Sequence, residues 1–206
     1  MQSQLVTITW IGIILAIFSG SVLFLLQHRQ LTLIALAGQY AGLFLLTSLS
    51  LPLSIASVKW ITGLIVIILL ASTERWLGPQ VAQPATKNIP SDWAFRIIAL
   101  ALSILASLAW SRETWVVVPE VTYEARLGAA LFIATGLLSV GLTDSPLRIG
   151  VGLLTVLCGF EVVYATIEPS LSVLALLSLV HMGIVLVVSQ LMFQRARSNT
   201  DLEEQR

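Results

Sequence analysis

Apolar residues fill the chain in long uninterrupted runs separated by short polar punctuation. The runs predict seven helices, over residues 5–26, 31–51, 54–72, 94–111, 122–142, 147–166 and 171–193. Several have about 20 residues, the length that crosses roughly 30 Å of hydrocarbon at 1.5 Å per residue. The predicted fold class is therefore all-α, a polytopic integral membrane helical bundle of about seven transmembrane helices.

The punctuation supplies the organisation. Gln27-His28-Arg29-Gln30, Thr143-Asp144-Ser145-Pro146 and Glu168-Pro169-Ser170 are short connections, which makes helices one to three and five to seven antiparallel neighbours. The longest break runs from Thr73 to Trp93 and holds Gly78-Pro79, Pro84, Lys87 and Pro90, as a surface linker between two halves does. A second break, Arg112 to Val121, carries Trp115-Val116-Val117-Val118-Pro119 and reads as an interfacial segment. The resulting division is a first three-helix membrane unit (1–76), a linker, connector helix and external loop (77–121), a second three-helix unit (122–195) and a polar cytoplasmic tail (196–206). Trp10, Trp60, Trp76, Trp93, Trp110 and Trp115 mostly fall near helix ends, where amphipathic rings favour the headgroup level.

Composition agrees with lipid as the solvent: 57% of residues are apolar and only 11% are charged, against roughly a quarter charged in soluble domains. Eleven basic residues balance eleven acidic ones, so net charge points to no nucleic acid and no polyanionic partner. Cys158 is the single cysteine, which excludes a disulfide framework and a cysteine metal site. The first run lacks a basic segment and a small-residue cleavage site ahead of it, and reads as a retained helix. Charge also sets an orientation, because cytoplasmic loops retain Lys and Arg. Arg29, Arg75, Lys87, Arg96, Arg148, Arg195, Arg197 and Arg206 fall on one side, Arg112 and Arg126 on the other, and Lys59 within a helix. That distribution places the N-terminus outside and the C-terminus in the cytoplasm.

Ionisable residues inside the spans carry the candidate chemistry, since each costs about 2.5–3.5 kcal/mol at the bilayer centre on insertion scales unless it is paired or faces a wet cavity. Lys59 lies about a turn and a half inside helix three, Glu161 a similar distance inside helix six, and His181 near the middle of helix seven. Together with Gln39 on helix two they form a polar set able to carry protons, because a carboxylate, an ammonium and an imidazole can each hold or release one. Structural readings stand beside this one. Lys59 is near enough to the interface to snorkel, and a neutral His181 can bond a helix carbonyl. Gln39 can be interhelical glue, whereas the short side chain of Glu161 needs a partner, a proton or water. Gln39 to Lys59 and Glu161 to His181 are both 20 residues, so an offset of 122 superposes the two pairs. With the central linker, this predicts a duplicated three-helix unit with helix four as connector.

Gln39 in Ala37-Gly38-Gln39-Tyr40, Lys59 in Ser57-Val58-Lys59-Trp60 and Glu161 in Leu157-Cys158-Gly159-Phe160-Glu161 resemble component E of hydrogenase-4 and formate-hydrogenlyase-type complexes. That family is related to the small NuoK/MrpC-like subunits of respiratory complex I and Mrp antiporters. The resemblance covers most of the chain in helix order and loop placement, and rests on single residues in apolar surroundings. Two positions depart from it: His181 stands within one residue of an expected second membrane carboxylate, and Gly63 stands where a proline is expected about a turn after Lys59. The resemblance implies two NuoK-like units and a non-catalytic subunit that helps form a proton or cation path in a complex I-like, hydrogenase-like or Mrp-like assembly. In that reading Glu161 is the exchangeable site, Lys59 and His181 modulate or relay it, and Gln39 supports hydration or packing. It also implies antiporter-like membrane subunits as partners, in a bacterial-type inner membrane. No haem, flavin, iron–sulfur or nucleotide motif is present, so no cofactor is expected. Two alternatives come from other classes: a subunit that only packs its neighbours, and an autonomous small-solute transporter.

The orientation is directly testable. A reporter fused after Arg206 is expected to score cytoplasmic, and an external score would overturn either the helix count or the charge argument.

Overall fold

The computed structural model describes residues 2–26, 28–48, 50–77, 90–112, 121–168 and 170–204. The Gly78-Pro79, Pro84 and Lys87 part of the linker, the Trp115–Pro119 segment and Arg206 lie outside the described residues. Seven helices make up the described chain: α1 (Gln2–Leu25), α2 (Arg29–Thr47), α3 (Leu53–Leu77), α4 (Pro90–Arg112), α5 (Tyr123–Gly141), α6 (Pro146–Ile167) and α7 (Leu171–Glu204). Each contains a stretch long and apolar enough to cross a membrane. The architecture is an all-helical bundle that fits an integral membrane protein.

Local chemistry explains where the helices depart from the expected bounds. α2 stops at Thr47 rather than at residue 51. The Thr47 and Ser48 hydroxyls turn back onto the carbonyls of Leu43 and Leu45, both at 2.8 Å, and Pro52 disfavours helical geometry in the residue before it. α3 continues five residues past the expected end at 72, to Leu77. Its polar last turns remain helical because the Thr73 hydroxyl bonds the Leu69 carbonyl at 2.9 Å and the Ser189 hydroxyl of α7 at 3.1 Å, and Arg75 sits favourably at the negative end of the helix dipole. The segment read as a polar tail is helical through Glu204, as an unbroken extension of α7 without glycine or proline.

The helices form two rows. α2 lies between α1 and α3, and α6 lies between α5 and α7. The rows meet helix by helix, α1 on α5, α2 on α6 and α3 on α7, while α4 closes one end against α5 and the edge of α1. Among the polar contacts that link the rows, Gln39 to Thr155, Thr62 to Ser178 and Thr73 to Ser189 each join residues 116 apart. The last two advance together along α3 and α7, so those helices run parallel. The offset of 122 concerns how the halves would superpose, and this contact register is a separate quantity.

Lipid tails are as apolar as leucine, so helix association in a bilayer relies on close packing and interhelical hydrogen bonds. The α5–α6 contact shows the packing solution. A Cβ on Gly136 would sit 2.7 Å from the Gly152 carbonyl oxygen, and one on Gly159 would sit 2.7 Å from the Ala129 carbonyl oxygen. Glycine lets the two backbones touch. The outer faces remain apolar and exposed, most of all on α4 through Trp93, Phe95, Ile98, Leu102, Leu105 and Trp110.

Filling this contact is expected to destabilise the bundle. Gly136→Val overpacks the interface, at about 1–3 kcal/mol or more, and lowers the melting temperature in detergent. Gly183→Ala has nothing within 4 Å of the added carbon and is expected to be neutral or slightly stabilising. Equal behaviour of the two variants would contradict the close α5–α6 approach.

Candidate functional site

Lys59 enters the core from α3, six residues past its first residue, Leu53. At 1.5 Å per residue this is about 9 Å into the helix. The side chain does not snorkel: the residue is 1% exposed. Its ammonium has three N–H donors and finds three acceptors, Glu161 Oε1 at 2.5 Å, the Leu174 carbonyl at 3.0 Å and Ser178 Oγ at 3.1 Å. The cation is thus saturated. Ser178 donates its own proton to the Leu174 carbonyl at 2.8 Å, which leaves its oxygen lone pairs turned to Lys59.

Glu161 comes from α6, six residues before that helix ends at Ile167. α3 and α6 are not packed against each other among the described residues, so the pair forms across a diagonal of the bundle, by side-chain reach. Oε1 accepts a hydrogen bond from the Lys59 ammonium, and Oε2 has no hydrogen-bond partner among the described residues. His181 approaches the same carboxylate from α7, with Nδ1 3.6 Å from Oε1, too long for a hydrogen bond. Its Nδ1 instead lies 2.9 Å from the Leu177 carbonyl. A carbonyl only accepts, so Nδ1 carries the proton there and a neutral ring presents a lone pair at Nε2, which is also without a partner among the described residues.

Gln39 is buried but stands apart from this trio. Its Oε1 accepts from Thr155 Oγ1 at 2.6 Å, and Thr155 lies six residues before Glu161 on α6, about 9 Å along the axis. Thr155 has a single hydroxyl proton with a second acceptor in reach, the Val151 carbonyl at 2.7 Å. Of the four candidates, then, the fold brings Lys59, Glu161 and His181 into one buried site and gives Gln39 to a neighbouring contact.

Sequence reasoning missed Ser178, Thr155 and above all Tyr40. The Tyr40 ring is 2% exposed and its centroid is 5.8 Å from that of His181. Gly63 makes room for it: a Cβ there would fall 2.5 Å from Tyr40 Cγ. Glycine at this position is thus explained locally, by an aromatic ring occupying the space of a side chain. Ser178 carried a signal in the sequence, since it lies three residues before His181 and shares its helix face. Tyr40 carried none, because its partners come from α3 and α7.

A carboxylate, an ammonium and an imidazole within one buried site can redistribute protons over a short distance, and the same groups can hold α3, α6 and α7 together. Among the described residues no group of three His, Cys, Asp or Glu could hold a metal ion. The chain matches no protein-family model, no curated protein and no solved structure.

Removing one member of the pair should be far worse than removing both charges. Lys59→Met leaves Glu161 buried and unpaired, which costs about 3–5 kcal/mol. Adding Glu161→Gln is expected to recover most of that loss, read as melting temperature and folded yield in mild detergent. Additive losses in the double variant would show that the two side chains do not interact.

Proposed function

We propose that this chain is a non-catalytic membrane subunit that helps form a proton or cation path within a complex I-like, hydrogenase-like or Mrp-like assembly. Glu161 is the exchangeable site in this reading, Lys59 and His181 relay or modulate its charge, and Gln39 with Thr155 continues the polar line toward the other face. The observation that carries it is the buried Lys59–Glu161 pair with His181 3.6 Å from the same oxygen. A buried ion pair contributes little net stability compared with well-packed apolar residues of similar volume. Three groups able to exchange a proton, together at the boundary between two rows of helices, have the composition of a proton-transfer site.

The surrounding architecture supports the assignment as a subunit. Only 17% of the α4 span and 22% of the α7 span is buried within the chain, which leaves broad apolar faces for neighbouring membrane subunits and for lipid. In this reading the two rows are a duplicated three-helix unit with α4 as connector, two NuoK-like units. The balance of basic residues favours an external N-terminus and a cytoplasmic C-terminus in a bacterial-type inner membrane.

One observation favours a second reading, in which the chain only packs its neighbours. All three Lys59 protons are already bound, as structural glue requires. Glu161→Gln combined with Lys59→Met separates the two, since the double variant keeps most of the packing, leaves no buried charge unpaired and removes the exchangeable groups. In membranes containing the whole assembly, the variant is expected to retain assembly content after mild extraction while proton movement driven by the assembly's own reaction falls several-fold. Unchanged proton movement would leave the pair as packing.

A further inference from the structure

We propose that Tyr40, Glu161 and His181 bind internal water where the two rows of helices meet, which makes Tyr40 a member of the site. The proposal rests on the proton-path reading for its purpose, and on geometry for its existence. All three residues are at most 2% exposed, yet Tyr40 OH, Glu161 Oε2 and His181 Nε2 have no hydrogen-bond partner among the described residues. They belong to one neighbourhood. The Tyr40 and His181 ring centroids are 5.8 Å apart with planes inclined at 55°, and His181 Nδ1 is 3.6 Å from Glu161 Oε1.

Tyr40, Glu161 and His181 cannot close the valences of these atoms among themselves. With Glu161 ionised against Lys59, Oε2 only accepts, and with Nδ1 committed to the Leu177 carbonyl, His181 Nε2 only accepts. Tyr40 offers a single hydroxyl proton to two acceptors. However the ring turns, one of them remains unsatisfied. Water supplies two protons and two lone pairs, and a buried water typically makes two to four hydrogen bonds with such groups. One molecule donating to Oε2 and Nε2 while accepting from the Tyr40 hydroxyl closes all three. Tyr40 then acts as a positioning residue that orients the water against the carboxylate. Its own placement is fixed by α3, because Gly63 admits the ring where any side chain would collide.

X-ray radiolysis of the full chain in its native membrane tests this, because hydroxyl radicals formed from bound water label the side chains beside it. Tyr40 and His181 are expected to be modified several-fold faster than the equally buried Phe132 and Phe24, each rate being normalised to the intrinsic reactivity of the side chain. Modification of both at the Phe132 rate would mean a dry site and overturn the proposal. In Tyr40→Phe, His181 labelling should fall several-fold; labelling at the wild-type rate would remove Tyr40 from the site. The measurement needs no ion movement, so it fails independently of the proton path. Dry labelling with a transport defect in the Lys59→Met, Glu161→Gln double variant sinks the water site alone, and wet labelling with unchanged transport sinks the path alone.

Discussion

A charged ammonium in an apolar interior must have every proton accepted, and that requirement at Lys59 organises the middle of this bundle. Water offers partners anywhere, whereas hydrocarbon offers none. Three acceptors therefore have to arrive from two other helices, a carboxylate from α6 and a carbonyl and hydroxyl from α7. Meeting this condition fixes the rotation of α7 about its axis, which in turn turns His181 inward toward Glu161. The same rotation presents the opposite side of α7 to the outside, where Leu176, Leu179, Leu186 and Val187 are exposed.

Close backbone packing answers a different need. In the α5–α6 contact, glycine brings carbonyl oxygens against the neighbouring helix, and the weak attractions available in lipid act over many atoms at once. The bundle thus separates a tightly packed end, made by α5 with α6 and by α1 with α2, from a polar seam that runs between α3, α6 and α7.

Apolar run length made the seven helices legible in the sequence, because the thickness of the hydrocarbon sets the length of every span. The bounds failed where side-chain hydroxyls or a proline decided the matter, as at Thr47, Ser48 and Pro52. Lys59, Glu161 and His181 were visible as polar residues in apolar runs, and the cost of burying them justified singling them out. Their partners were harder to see. Lys59 and Glu161 meet diagonally, between helices that do not pack against each other, and no sequence spacing encodes such a contact. Gln39 illustrates the converse, since it was grouped with the other three in one polar set, whereas the fold pairs it with Thr155, about 9 Å from Glu161 along α6.

The Thr62–Ser178 and Thr73–Ser189 contacts lie eleven residues apart on both α3 and α7. Eleven residues are close to three turns at 3.6 residues per turn, so one continuous stripe of each helix faces the other. Inserting a single residue between the two contacts would rotate everything beyond it by about 100° and carry one hydroxyl out of the seam. The interiors of α3 and α7 therefore do not tolerate a change of length. Variation in chain length has to accumulate in the connections, and above all in the long one between α3 and α4.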